Sequence, residues 1–138
     1  MRGNPPIMLQ PHLSANPLSC LACNLEVPPE RLGFSGTLAE RVAFWRDFHD
    51  CFYRLWLDSG PFESWAKAQL EDPASPVHER GLELTKELGE VRPAYYWWFQ
   101  DTGAEGFQPL AHCPRCRSTL LDEHGRLLCG ACRIVVAN

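Results

Sequence analysis

Two short cysteine motifs near the C-terminus restrict this chain more than any other feature. Cys113-Pro-Arg-Cys116 is followed, after twelve residues, by Cys129-Gly-Ala-Cys132. Each C-x-x-C turn is a tight knuckle that converges two thiolates on one point, and two knuckles on adjacent hairpins complete a tetrahedron around Zn²⁺. Four thiolates leave no open position for a substrate water, so an ion held this way is structural. The pattern predicts strands near 118–121 and 126–129, a turn at Asp122-Glu-His-Gly125, and a third strand over 133–137. Such a module is too small to fold on an apolar core alone. Zinc binding can supply on the order of 10 kcal/mol. With the ligand set already full, His112 and His124 are expected to face solvent.

The chain has seven cysteines, and six fall into C-x-x-C pairs. Without a secretion signal such pairs read as metal or redox sites before disulfides, which implies a reducing, cytoplasmic setting. Arg2 has no long apolar stretch behind it, and no apolar run approaches bilayer length. The third pair, Cys20-Leu-Ala-Cys23, has three readings. It is half of a second zinc site, with Cys51 and His12 or His49 as candidate partners. It is a redox pair, although Pro28-Pro29 argues against the helix that motif requires. Or it is two reduced thiols in a turn. Cys51, on the apolar side of a helix, is expected as a buried small hydrophobe.

Upstream of the ribbon the pattern is helical. Residues 37–58 form the strongest helix, capped by Ser35 or Thr37, with Glu40 placed for a capping box and Gly60-Pro61 as the stop. Leu38, Val42, Trp45, Phe52 and Trp56 make one stripe; Phe44, Phe48, Cys51 and Leu55 make a second beside it. So wide an apolar face predicts a central helix packed on two sides. A short helix over 62–70 follows. Another starts at Ser75-Pro76 and ends near Gly89, weakened at Gly81 by roughly 1 kcal/mol against alanine. Tyr95-Tyr96-Trp97-Trp98-Phe99 reads as a strand, with alternate rings on opposite faces, and as core more than as a binding platform. Residues 1–19, with four prolines, are expected to be flexible and extended. Residues 101–109 read as a linker. The expected fold is α+β: a small, mainly helical domain over 20–100 with a C-terminal three-stranded, four-cysteine zinc ribbon over 110–138.

Taken together, the ordered set resembles a known family. It comprises Pro17-Leu-Ser-Cys20-Leu-Ala-Cys23, Val27-Pro28, Trp45, Cys51, Leu55-Trp56, Ser59-Gly60 with Glu63, Pro93-Ala-Tyr95-Tyr96 and Cys129-Gly-Ala-Cys132-Arg133. The set resembles an uncharacterised bacterial family, a domain of unknown function, of zinc-ribbon-containing proteins to which nucleic-acid binding is ascribed. The resemblance spans about residues 17–136. It implies one zinc site at Cys113, Cys116, Cys129 and Cys132, and carries no catalytic residues.

Charge bears on partners. Residues 1–109 hold nine Lys and Arg against fifteen Asp and Glu, a balance of −6. In the ribbon, Arg115, Arg117, Arg126 and Arg133 against Asp122 and Glu123 give +2, and zinc with four thiolates adds −2. No catalytic set, phosphate loop or nucleophile motif is present. The expectation is a zinc-binding protein that works by interaction and is not an enzyme. One reading is a protein partner, adaptor or toxin-neutralising in type, drawn to the acidic, aromatic-rich domain. The alternative is nucleic acid contacted through Arg115, Arg117 and Arg133.

Overall fold

Ile7, Met8 and Leu9 form an apolar run without alternation, and all three are fully buried. That is the signature of a strand covered on both faces. In the computed structural model, which describes residues 5–11 and 16–136, this strand (β1, Ile7–Leu9) pairs antiparallel with β2 (Leu18–Cys20) and parallel with β3 (Ala94–Trp97). The segment expected to be loose therefore contributes two strands. Three-residue strands flanked by prolines carry too little periodicity to be read from sequence.

Three helices separate β2 from β3: α1 (Gly36–Asp58), α2 (Glu63–Glu71) and α3 (Pro76–Leu88). After β3 come β4 (Leu121–Glu123), β5 (Arg126–Cys129) and β6 (Ile134–Val136). All six strands form one mixed sheet in the order β2-β1-β3-β6-β5-β4. The architecture is α+β. The C-terminal strands do not stand apart from the rest: β6 runs parallel to β3, pairing Tyr96 with Ile134 and Trp97 with Val135. Backbone bonds from Tyr96 N to Arg133 O (2.7 Å) and from Trp98 N to Val135 O (2.8 Å) close this ladder. The expected division at 101–109 is thus bridged by continuous sheet hydrogen bonding. Among the described residues no helix is long and apolar enough to cross a membrane.

Local chemistry sets the helix ends. Ser35 caps α1 by accepting from Leu38 N at 3.1 Å, which leaves Thr37 and Glu40 inside the helix and forms no capping box. At the other end Gly60 takes φ 70°, the left-handed conformation that stops a helix. Ser75 caps α3 by accepting from Val77 N, with Pro76 in the first turn.

The packing of α1 departs from its apolar pattern. Only Val42, Trp45 and His49 are buried, and the second stripe is covered in part, with Phe48 and Leu55 half-buried. Cys51 is exposed instead of buried. Phe44, on the second stripe, is 63% exposed. Periodicity reports a wide apolar face; it does not report what lies against it.

Tyr96 is the centre of the helix–sheet core. It meets Trp45 edge-on, with ring centroids 5.7 Å apart, and its hydroxyl lies 2.8 Å from His78 Nδ1. The other imidazole nitrogen, Nε2, lies 2.6 Å from the Leu70 carbonyl. A carbonyl only accepts, so Nε2 carries the proton and Nδ1 accepts from the tyrosine. Both groups are neutral. Burial lowers the His78 pKa to about 4 and raises that of Tyr96. The ring of Trp98 stacks on His78 at 4.1 Å. As alternation predicted, Tyr96 and Trp98 face the helices while Tyr95 and Trp97 belong to the opposite face.

This core can be tested at two positions. An alanine Cβ at position 81 would lie 2.2 Å from Tyr96 Cε1 and 3.0 Å from Trp45 Nε1. Gly81→Ala should therefore destabilise the fold by about 1–3 kcal/mol through overpacking. Helix propensity alone would favour alanine by about 1 kcal/mol. The sign of the change in urea denaturation decides between the two. The second prediction concerns acid. Burial holds the His78 pKa at about 4 in the folded chain against an ordinary value of 6.5, so the unfolded chain binds the extra proton first. Through His78, stability should be unaffected above pH 6.5 and fall by up to about 3 kcal/mol as pH drops from 6.5 to 4, and His49, also held down by burial, adds a loss of its own over that window. His78→Gln should be less stable at neutral pH but lose correspondingly less over that window, measured by denaturation at each pH.

Candidate metal centre

The two knuckles are built by backbone geometry. In the first, Cys113 N donates to Ser118 O (2.8 Å) and Arg117 N to Cys113 O (3.0 Å), with Arg117 at φ 65°. In the second, Cys129 ends β5 and Arg133 takes φ 57° before β6 begins. The two positive-φ residues reverse the chain tightly enough to bring each cysteine pair together. Between the knuckles, β4 and β5 form the expected hairpin. Its turn, His124-Gly125, has φ of 56° and 74°, the positive pair that matches strand twist. His124 and His112 are both exposed.

The four sulfurs lie within 4.8 Å of one another. Cys116 Sγ and Cys129 Sγ, from different knuckles, are 3.6 Å apart. A tetrahedron with metal–sulfur bonds of about 2.3 Å has edges of about 3.8 Å, so the arrangement fits a tetrathiolate metal ion. Amide groups aim at the sulfurs: Arg115 N donates to Cys113 Sγ and Cys132 N to Cys129 Sγ, each at 3.4 Å. The Ser118 hydroxyl is 3.2 Å from Cys116 Sγ and can donate to it as a thiolate. Cys113 and Cys129 are buried within the main apolar cluster, so the site is rooted in the core.

The acidities point the same way. Hydrogen bonds from Ser118 bring Cys116 down to about 6. Burial, with help from the neighbouring thiols, pushes Cys132 up to about 12 and raises Cys129 as well. Without a cation, Cys116 ionises readily while Cys129 and Cys132 hold their protons. A divalent cation reverses this balance, because it deprotonates a coordinating thiol outright.

The remaining candidate residues are dispersed. Among the described residues the only metal-competent group of three or more is the Cys113, Cys116, Cys129 and Cys132 cluster. Neither His49 nor Cys51 of α1 joins Cys20 and Cys23, and His12 lies outside the described residues. Arg115 Nη1 approaches the Pro73 carbonyl in the α2–α3 turn at 3.4 Å, on the helix side of the sheet. Arg133 lies over the Tyr95 ring at 5.3 Å, on the other side. Those two cations therefore do not share a surface, and Arg117 is exposed at the first knuckle.

One feature had no sequence signal. Arg46, His49 and Gln100 line an open cleft of about 770 Å³ between α1 and the chain after β3, walled by Tyr53, Trp56 and Trp97. Arg46 Nε, His49 Nδ1 and Gln100 Oε1 are buried there without a hydrogen-bond partner among the described residues. Burial holds His49 neutral, with its pKa down at about 4.

Because Cys129 pairs with Ile134 of β6, and β6 pairs with β3, the metal centre and the helix core share one sheet. Cys129→Ser should abolish tight metal binding and destabilise the whole domain by several kcal/mol, out of the ~5–15 kcal/mol typical of a domain. Helical circular dichroism and tryptophan fluorescence should then melt together at a lower temperature. An unchanged helix transition would instead mark the C-terminal segment as an independent module.

Comparison of the chain with protein-family models, with curated proteins and with solved structures finds no match.

Proposed function

We propose that this chain is a zinc-binding protein that acts by docking a protein partner, of adaptor or toxin-neutralising type, with its zinc ion in a structural role. The donor set supports zinc: four soft thiolates in tetrahedral array suit that ion. A three-stranded ribbon of β4, β5 and β6 would carry it. No ligand position remains for a reacting water.

The observation that carries the partner reading is a row of aromatic rings on α1 and α2. Phe44 stacks with Phe48 at 6.5 Å, Phe48 meets Phe52 at 5.2 Å, and Phe52 meets Trp65 at 5.7 Å. Phe44 is 63% and Trp65 51% exposed. A row of rings with exposed ends costs solvation and is characteristic of interface anchors. Arg80 covers Phe48 at 4.7 Å, as rim arginines do around such anchors. On the same helix, the cleft beside His49 offers unpaired polar atoms to an inserted side chain. With a balance of −6 over residues 1–109, the docking domain would attract a basic partner, chiefly by speeding encounter.

Nucleic acid is the weaker reading. The chain is acidic, and Arg115, Arg126 and Arg133 are each engaged with groups of the protein itself. The expected affinity for single- or double-stranded DNA or RNA at physiological salt is about 10 μM or poorer, measured by fluorescence anisotropy. Purified protein should carry at least one zinc per chain by elemental analysis. A pull-down should recover a discrete protein that Phe44→Ser with Trp65→Ser loses, both positions being exposed enough to leave the fold intact. Sub-micromolar nucleic-acid binding abolished by Arg115→Ala with Arg117→Ala would overturn this reading.

A further inference from the structure

The Cys20-Leu-Ala-Cys23 turn repeats the construction of the two ribbon knuckles. Its second cysteine is followed by Asn24 at φ 62°, as Cys116 is by Arg117 at 65° and Cys132 by Arg133 at 57°. Asn24 N donates to Cys20 O at 2.8 Å, the same closure that Arg117 N makes to Cys113 O at 3.0 Å. Cys23 N donates to Cys20 Sγ at 3.4 Å, matching Cys132 N to Cys129 Sγ at 3.4 Å in partners and length. In all three pairs the first cysteine is buried and the second more exposed. A chain rarely places a non-glycine residue at positive φ without cause. Here three C-x-x-C-x segments do so at the same position, and two of them build the tetrathiolate centre.

The third knuckle is also held in place. It closes β2, where Cys20 N donates to Leu25 O at 2.8 Å. Arg126 of β5 reaches across to it, donating from Nε to Leu21 O at 2.7 Å and from Nη2 to Asn24 Oδ1 at 3.2 Å. The site is a preorganised pair of sulfur donors at the surface, with Leu25 beside it 69% exposed.

Two thiolates fill half of a zinc coordination sphere. Among the described residues no third donor joins them. The hairpin register pairs Cys20 with Ile7, and Gln10 N donates to Pro17 O, so the β1–β2 connection leaves from the end opposite Cys20. Within the ribbon, one knuckle is completed by another of the same shape. We propose that Cys20 and Cys23 form a second zinc half-site, completed by the same two cysteines of a second copy of this chain. One zinc ion would then sit on a two-fold axis with four thiolates, two from each copy. This is the isologous arrangement that closed dimers use. No electron transfer is involved: each thiol gives up its proton to solvent as it binds the ion.

The test uses the full chain under a non-thiol reductant, with zinc at a small excess, followed by sedimentation velocity and elemental analysis. The expected result is a dimer with about 1.5 zinc per chain, one in each ribbon and one shared. Cys23→Ser, at an exposed position outside the ribbon, should be a monomer with about one zinc per chain, melting as the wild-type monomer does before excess zinc is added. Wild-type protein that stays monomeric overturns the proposal, whether it holds one zinc or two. So does a dimer that persists in Cys23→Ser. The partner reading above is independent of this result, since it concerns α1 and α2.

Discussion

The parallel pairing of β3 with β6 is the contact on which the rest of the architecture depends. β3 and the residue after it carry Tyr96 and Trp98 into the helix layer, and along its edge β3 receives Ile134 and Val135 from the four-cysteine segment. Removing this ladder would leave two fragments, each short of what it needs. The helices would lose Ile134 and Val136 from the cluster they pack in. The knuckles would lose the strand that holds the second of them in register. A small metal-bearing segment has little apolar core of its own. Here it borrows one, because Cys113, Cys129, Ile134 and Val136 belong to the same cluster as Trp45, Leu84 and Leu88.

That shared cluster alters the meaning of the metal centre. In an isolated module, coordination free energy stabilises only the loops that supply the ligands. In this chain two of the four sulfurs sit in the main core, and burial works against the ionisation of Cys129. Coordination and packing are therefore coupled: a cation makes buried thiolates acceptable, and the packed core holds them where a cation can be met. Glycine at 81 reflects the same tightness of packing. Tyr96 occupies the position where a side chain on α3 would stand, and its hydroxyl closes on His78 in a dry, fully paired cluster.

Much of the local structure was legible from residues with short-range chemistry. The Ser35 and Ser75 caps, the Gly60 stop, the turn before Arg126 and the alternation of rings along β3 all follow from the residue and its immediate neighbours. The four ribbon cysteines were legible for the same reason, since their spacing is itself the geometry. Less was legible where the outcome depends on a distant segment. The pairing of β1 with β3 joins residues more than eighty positions apart, and three apolar residues between prolines do not announce it. The apolar breadth of α1 was correct as chemistry and misleading as topology: the protein covers the Val42, Trp45 and His49 side and leaves Phe44 and Cys51 in solvent. The cleft was invisible because Arg46, His49 and Gln100 converge only after α1 meets the end of β3.

The division of labour in the proposed reading follows from where the costs of folding are met. The polar groups nearest the centre of the core, His78 and the Tyr96 hydroxyl, are satisfied by one another and by a carbonyl, so they hold the fold and offer nothing to a ligand. Among the described residues, unpaired buried polar atoms gather at the cleft, on Arg46, His49 and Gln100, and exposed rings lie along α1 and α2. Exposed rings and unpaired buried nitrogens are both unfavourable in an isolated molecule, and each is relieved by contact with something outside it. The metal centre stands apart from both, its outward knuckle tied back by Arg115 to the α2–α3 turn. In this reading a structural ion would fix one end of the sheet and leave α1 free to present its open face. That separation is the arrangement expected of a docking protein, in which the metal maintains a surface and does not act upon what binds there.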